Sequence, residues 1–370
     1  MSGNGGILHS LRDLPGTYEK SGLGSHAKVW DLSSGTIPSR FDCDVVIAGS
    51  PCQGFSTIGK RNLDDPRNSL IHTASIIALS LNPKVIIFEN VQGILFGEHK
   101  KYLNLICETL NKKNYKTETI TIDASTIGIP QTRKRVFVIG WNTSVKNLPK
   151  LEKKSTRTLG EVLKNVEGKP NHNVELLDRT SKHYKIARKI GHGQKLCNVR
   201  AGNSSIHTWQ IPEVFGPVDE EQIMILQTIM KLRRRERLRP TGDADPVCPK
   251  RLGEYLKKDV SAAVDNLVNL DYLRRKGSRV DLSNTFNGKY RRPCPKGFSY
   301  TVDTRFGNIK NFVHPFENRP FSVREAARIQ GFPDSYVFYG SVQDQYKLIG
   351  NAVPPPMGEV VAEITMNLLE

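Results

Sequence analysis

The chain has 370 residues, with 54 Lys and Arg against 37 Asp and Glu, a net charge of +17 at pH 7. At roughly 100–200 residues per domain, two or three domains are expected. Hydrophobic residues make up 38 % and charged residues 25 %, as in a globular chain and unlike a disordered one. No apolar run approaches the ~20 residues of a membrane-spanning helix, and Met1–Ser10 has neither the basic stretch nor the apolar core of a secretory signal. The six cysteines, Cys43, Cys52, Cys107, Cys197, Cys248 and Cys294, include no Cys-x-x-Cys pair. A disulfide framework, a structural zinc site or any other metal is therefore not expected, and a reducing cytoplasm is the expected setting.

The predicted elements begin with a buried strand, Asp44–Gly49. A helix over Ser69–Leu81 follows, then a second apolar strand, Lys84–Asn90, with polar residues at its C-terminal end. Tyr102–Leu110 has helical spacing, Tyr115–Ile122 alternates like a strand, and Arg135–Gly140 is another apolar strand. Strands alternating with helices predict an α/β fold around a mostly parallel sheet. In such sheets ligands bind beyond the strand C-termini, where polar clusters follow Gly49 and Phe88.

The middle of the chain changes character. Residues 151–318 carry 32 basic against 19 acidic side chains, whereas residues 1–150 carry 18 against 12 and residues 319–370 carry 4 against 6. A basic segment between two near-neutral ones reads as a polyanion-binding insert on a scaffold; the plainer alternative is a solvated basic surface. The predicted helices are Glu220–Arg239, ending in the basic run Lys231–Arg239, a short one near Arg251–Lys257, and a longer one over Ser261–Arg275. A hairpin is predicted within Val280–Tyr290 around Asn287-Gly288. This order resembles a winged helix-turn-helix, with Leu267–Arg275 and the hairpin toward DNA; an ordinary α+β insert would have the same elements.

Cys52 lies directly after the first strand, where a thiol faces the ligand crevice and acts as a nucleophile if nearby positive charge favours its thiolate. The other five cysteines read as structural. Glu89 ends the second strand and is a candidate acid or hydrogen-bond anchor. Arg133 and Arg135, in Gln131-Thr132-Arg133-Lys134-Arg135, alternate onto one side and could grip a phosphate or carboxylate.

In order, Pro51-Cys52-Gln53-Gly54-Phe55-Ser56, Glu89-Asn90-Val91 and Gln131-Thr132-Arg133-Lys134-Arg135 resemble blocks of the DNA (cytosine-5) methyltransferase family. Arg319–Pro333 is similar to that family's penultimate block and Tyr346–Pro355 to its last. The resemblance covers residues 31–142 and 314–370, and the stretch between them falls where the family carries its variable target-recognition region. It implies a Rossmann-like S-adenosylmethionine-dependent sheet in residues 1–150, a target-recognition region in 151–318, and a return to the catalytic domain in 319–370. It implies transfer of a methyl group from S-adenosylmethionine to C5 of a flipped-out cytosine in duplex DNA. In a bacterial restriction–modification pair this protects DNA from a cognate restriction enzyme. By the family's pattern Cys52 is the nucleophile that adds to C6, Glu89 stabilises N3, and Arg133 and Arg135 hold the base and its neighbours. Gln53 to about Asn68 resembles the mobile catalytic loop, in which Gln53, Ser56, Lys60, Arg61 and Arg67 would meet DNA. In the recognition region Arg233, Arg234, Arg235, Arg274 and Arg275 are expected on the phosphates. Arg324, Glu325 and Arg328 read as braces of that region, on a helix opened by a Ser322–Glu325 capping box.

The cofactor half of the pocket departs from the family. Met1-Ser2-Gly3-Asn4-Gly5-Gly6 looks like the Gly-rich cofactor turn without its strand, and residues 7–30 hold no convincing apolar strand. Gly3, Gly5, Asp31, Pro51 and Asn351 are the matching cofactor residues. Three explanations stand side by side: a start placed too late, a split enzyme whose partner polypeptide supplies the strand, and a decayed gene. The competing functions are accordingly a catalytically inactive DNA-binding relic or split subunit, and an RNA cytosine methyltransferase of the same fold. A monomer is the default.

Overall fold

The computed structural model describes residues 8–9, 28–29, 35, 37, 42–49, 70–237 and 244–370. The chain divides into two compact units, one of Met1–His172, Phe298–Thr304 and Val323–Glu370, the other of Asn173–Gly297 and Arg305–Ser322.

In the first unit β1 (Leu8–His9) and β2 (Lys28–Val29) form a short parallel pair. They are followed by β3 (Val45–Gly49), α1 (Leu70–Ser80), β4 (Val85–Val91), α2 (Lys100–Asn111), β5 (Lys116–Asp123) and β6 (Lys134–Trp141). The last four strands form one sheet in the order β3-β4-β6-β5. The mostly parallel sheet expected from the alternation is in fact mixed: β3 and β4 are parallel, but β6 runs antiparallel to both of its neighbours. The reason is the short connection from Asp123 to Lys134, which carries only a 3-10 turn and no crossover helix.

Strand alternation divides the sheet's side chains between two cores. Ile86, Phe88, Val136 and Val138 face α1 and α2 through Ile71, Ala78, Leu103, Ile106 and Leu110. Val85, Ile87, Ile122, Phe137 and Ile139 face the other way. Each such fully buried side chain stabilises the fold by about 1.5–3 kcal/mol. A one-turn helix, α3 (Leu159–Val162), is closed at its start by a Thr158–Glu161 capping box.

In the second unit come α4 (Lys182–Lys189), β7 (Lys195–Cys197), β8 (Ser205–Ile206), α5 (Pro212–Phe215) and α6 (Glu220–Arg235). They are followed by α7 (Pro249–Leu256), α8 (Ser261–Asn269), β9 (Leu273–Lys276), β10 (Arg279–Leu282) and β11 (Asn287–Lys289). Asp219 caps α6 with Gln222, and the helix ends in Arg233, Arg234 and Arg235 rather than continuing to Arg239. The expected helix over Ser261–Arg275 stops at Asn269: Asp271 takes a left-handed φ of 58°, and Leu273 turns into strand β9. The hairpin is therefore β9–β10, turning at Gly277 (φ 59°), and not around Asn287-Gly288. That dipeptide lies in β11, which pairs with β7 across a register shift at the same place. Val247 and Val280 exchange two 2.8 Å backbone hydrogen bonds, an isolated antiparallel bridge beside β10. Ile225, Ile229, Leu252, Val264, Leu267, Leu273 and Val280 form the core of this part.

The remaining helices, α9 (Val323–Gln330), α10 (Val342–Asn351) and α11 (Pro355–Leu369), return to the first unit. Met357, Val360, Val361, Ile364 and Leu368 of α11 cover the second face of the sheet.

Candidate active site

Glu89 stands at the C-terminal end of β4, in register with Gly49 of β3 and Phe137 of β6. Its Oε1 is 2.8 Å from Nε of Arg135, and both side chains are largely buried. Burial pushes the Glu89 carboxyl above its ordinary value; the charges of Arg135 and Arg133 and the Arg135 hydrogen bond oppose this without overcoming it. The result is a carboxylic acid that keeps its proton more readily than an exposed one, fixed by a cation that orients it. A Cβ at Gly49 would lie 4.0 Å from Glu89 Oε2, in ordinary contact with it.

Arg133 acts on Glu89 through its charge, but its guanidinium is turned to backbone carbonyls. It precedes β6, so strand alternation does not apply to it. Its guanidinium is 1 % exposed and donates to the carbonyls of Val302 (2.8 Å), Gly350 (3.2 Å) and Ala352 (2.8 Å). Arg133 thus brackets the backbone of the last block, while Arg135 alone meets Glu89.

Gln131 and Gln330, with no role expected for either beyond membership of its block, join the same bracket. Gln131 donates to Gln330 and Ile329, and accepts from Val302 N–H. Gln330 donates to the carbonyls of Ile349 (3.0 Å) and Ala352 (2.9 Å). Their presence inside two matching blocks was the only signal available. Gly350 packs so closely that a Cβ would meet Thr304 N at 2.4 Å. Asn351, the last residue of α10, is exposed. The C-terminal parts of β3 and β4, at Gly49 and Glu89, lie where such sheets hold their ligands, and a methyl donor fits there. The other expected cofactor residues, Gly3, Gly5, Asp31 and Pro51, lie outside the described residues, as do Cys52 and the loop residues Gln53, Ser56, Lys60, Arg61 and Arg67.

Arg324 and Arg328 brace the first unit. Arg324 is fully buried and donates to the carbonyls of Pro170, Pro333 and Tyr336. Arg328 holds the carbonyls of Lys164 and Asn165 and pairs with Asp334 at 2.6 Å. The helix α9 begins directly after Ser322, where the cap was expected.

Of the expected phosphate contacts, Arg234, Arg235, Arg274 and Arg275 are exposed. Arg233 is not: it is 7 % exposed and its Nε lies 2.5 Å from Asp281 Oδ1. It sits at the eighth position after Ile225, inside the apolar stripe of α6, so helical periodicity could have placed it. Arg233 therefore ties β10 to α6 rather than meeting solvent. Burial raises the thiol pKa values of Cys43 and Cys107, keeping both protonated. Among the described residues no cluster of His, Cys, Asp and Glu could hold a metal ion, and no helix is long and apolar enough to cross a membrane.

The C-5 cytosine-specific DNA methylase family matches residues 17–366. The type II methyltransferase M.DdeI of Desulfomicrobium norvegicum is 30 % identical over 87 % of this chain and 72 % of its own length. M.NlaIV of Neisseria lactamica is 27 % identical over 93 % of this chain and 87 % of its own. Among solved structures, a DNA modification methyltransferase encoded within an E. coli prophage superposes with a TM-score of 0.56 at 20 % identity, covering 98 % of this chain and 91 % of that one. The Entamoeba histolytica methyltransferase EhMeth gives 0.50 at 17 %, covering 99 % and 90 %. At these identities the structural likeness concerns the fold. The sequence match spans the catalytic blocks and the region between them, and does not favour the relic or split-subunit alternatives. With Glu89 and Arg135 placed together at a strand end, as the ordered blocks require, this chain belongs to the C-5 cytosine-specific DNA methylase family.

Proposed function

We propose that this protein is the modification methyltransferase of a type II restriction–modification system, methylating C5 of cytosine within a specific duplex site. The buried Glu89–Arg135 pair carries the reading, because a raised carboxyl is what a proton donor to the base requires. Cytosine C5 is a poor nucleophile until a thiolate adds to C6. Cys52 Sγ forms that bond, and the displaced electron pair moves toward N3, where Glu89 donates its proton. Arg135 holds the Glu89 carboxyl in place and stabilises the carboxylate left behind. Once C5 carries the methyl group, a base takes the C5 proton, the C5–C6 double bond re-forms as the Cys52 thiolate leaves, and N3 returns its proton to Glu89, restoring the ring. The family's methyl donor is S-adenosylmethionine, which supplies a methyl group on a positively charged sulfur; Asn351 is the described residue assigned to hold it, with Gly3, Gly5, Asp31 and Pro51. The target carbon is inaccessible in a stacked duplex, so the base is flipped out.

The second unit serves as the target-recognition region. Helix α6, the bridge at Val247, α7, α8 and the β9–β10 hairpin follow the order of a winged helix-turn-helix. Arg234, Arg235, Arg274 and Arg275 meet phosphates there. The enzyme works as a monomer in the cytoplasm, where its DNA is. The test is transfer of tritiated methyl from S-adenosylmethionine to unmethylated plasmid DNA. Label in 5-methylcytosine that vanishes in Cys52→Ala supports the reading; label that persists in that variant overturns it.

A further inference from the structure

We propose that α8 is the helix that reads base edges in the major groove, with Asn266 and Asn269 as the sequence-determining side chains. The inference rests on the reading of the protein as a duplex-DNA methyltransferase and goes further by naming the readers. Helix α8 has two unlike faces. Val264 and Leu267 are buried in the core of the second unit. Ser261, Ala262, Asp265, Asn266 and Asn269 are exposed. Positions 262, 266 and 269 follow the i, i+4, i+7 spacing of one helical stripe.

The exposed face carries only short side chains. A helix so trimmed can approach the floor of a groove about 12 Å wide. Longer cations flank it instead. The wing carries Arg274, Arg275 and Lys276, all exposed. The end of α6 adds Arg234, Arg235 and Arg237, also exposed. Short polar groups in the middle and long basic ones around them are the division of labour that base readout and phosphate contact require.

The wing cations are already aimed. Arg274 and Lys276 lie 3.3 and 3.7 Å from Asp281 Oδ2, a carboxylate itself anchored by the buried Arg233. Arg275 pairs with Asp265, on the reading face of α8. That exposed pair neutralises the one acid on the face and is weak enough to exchange Arg275 onto a phosphate. Each asparagine amide offers the donor and acceptor that match adenine N6 and N7. The released Asp265 carboxylate can accept from a cytosine N4 amino group.

The test is selection of bound duplexes from a randomised DNA pool, without methyl donor, for the wild type, for Asn266→Ala with Asn269→Ala, and for Arg274→Ala with Arg275→Ala. All four side chains are exposed, so the variants should fold; circular dichroism checks this. The asparagine variant should lower enrichment of the wild-type motif by about tenfold or more at one or two positions, with binding to random duplex changed less than about threefold. The arginine variant should weaken binding to every sequence and reduce the slope of log affinity against log salt by about 1 per arginine lost. An unchanged motif in the asparagine variant, or a wild type that selects no motif, overturns the inference. A wild type that selects a motif and transfers no methyl group refutes the proposed function and leaves the reading helix standing.

Discussion

Gln131 and Gln330 lie 199 residues apart in the chain and share a 2.7 Å hydrogen bond between fully buried side-chain amides. Both donors and the acceptor of each amide are satisfied, and together they join the strand entering β6, the segment at Val302, helix α9 and the end of α10. Replacing Gln330 by Leu keeps the volume but strips a partner from Gln131 and from two carbonyls. A loss of about 1–3 kcal/mol per unsatisfied buried group is expected, read as a lower midpoint of urea unfolding. A midpoint equal to that of the wild type would mean that the amides do not brace the unit.

The Glu89 carboxyl is held above its ordinary value by burial. A group raised in this way contributes stability below its unfolded pKa, and that contribution is lost as pH rises through the higher folded value. The same sign governs activity, because the protonated form is the donor. The ratio kcat/KM should therefore fall as pH rises through the raised Glu89 pKa. Arg135→Met removes the strongest influence that lowers it, so the fall should move to higher pH in the active residue of that variant. Glu89→Gln keeps a hydrogen-bond donor but no titrating proton; its rate should drop about 100- to 10,000-fold and the inflection disappear. A profile that moves to lower pH in Arg135→Met would contradict the assignment.

Arg133 donates to three carbonyls, and its charge bears on Glu89. Arg133→Lys retains the charge but not the planar fork that reaches them all. Unfolding at lower urea is expected, alongside a rise in KM for S-adenosylmethionine as the Gly350–Ala352 backbone loosens. Reduced kcat with stability and KM intact would instead place Arg133 on the substrate.

Asp281 pairs with the buried Arg233. Asp281→Ala leaves that guanidinium buried without its carboxylate, a change of about 3–5 kcal/mol. The second unit should lose protection in hydrogen exchange across α6 and β10, while the β4–β6 amides of the first unit stay protected. Uniform loss in both units would show that the effect is not local.

Much of the catalytic sheet was legible because its signal is local. The run Val85–Val91 is apolar on both faces and can only be a buried strand, and Glu89 closes it. The helix expected over Ser261–Arg275 overruns the end of α8 because Leu267, Leu270 and Leu273 keep helical spacing. Nothing in that pattern reveals the left-handed turn at Asp271 that moves Leu273 into a strand. Arg133 and Arg135 look equivalent in sequence, and what separates them is tertiary: one meets carbonyls from residues 302–352, the other Glu89. Arg233 was misplaced for a different reason. A dense basic run reads as solvated surface, and that reading hides the place of Arg233 on the apolar stripe of α6, where Asp281, 48 residues away, receives it.

Helix α11 covers one whole face of the catalytic sheet, yet it follows the second unit in the chain. A ribosome therefore releases Val85, Ile87, Ile122 and Ile139 long before Met357, Val360 and Ile364 exist to cover them. The nascent sheet must wait with an apolar face bare while the whole intervening unit is made, the period in which aggregation competes with folding and chaperones are needed.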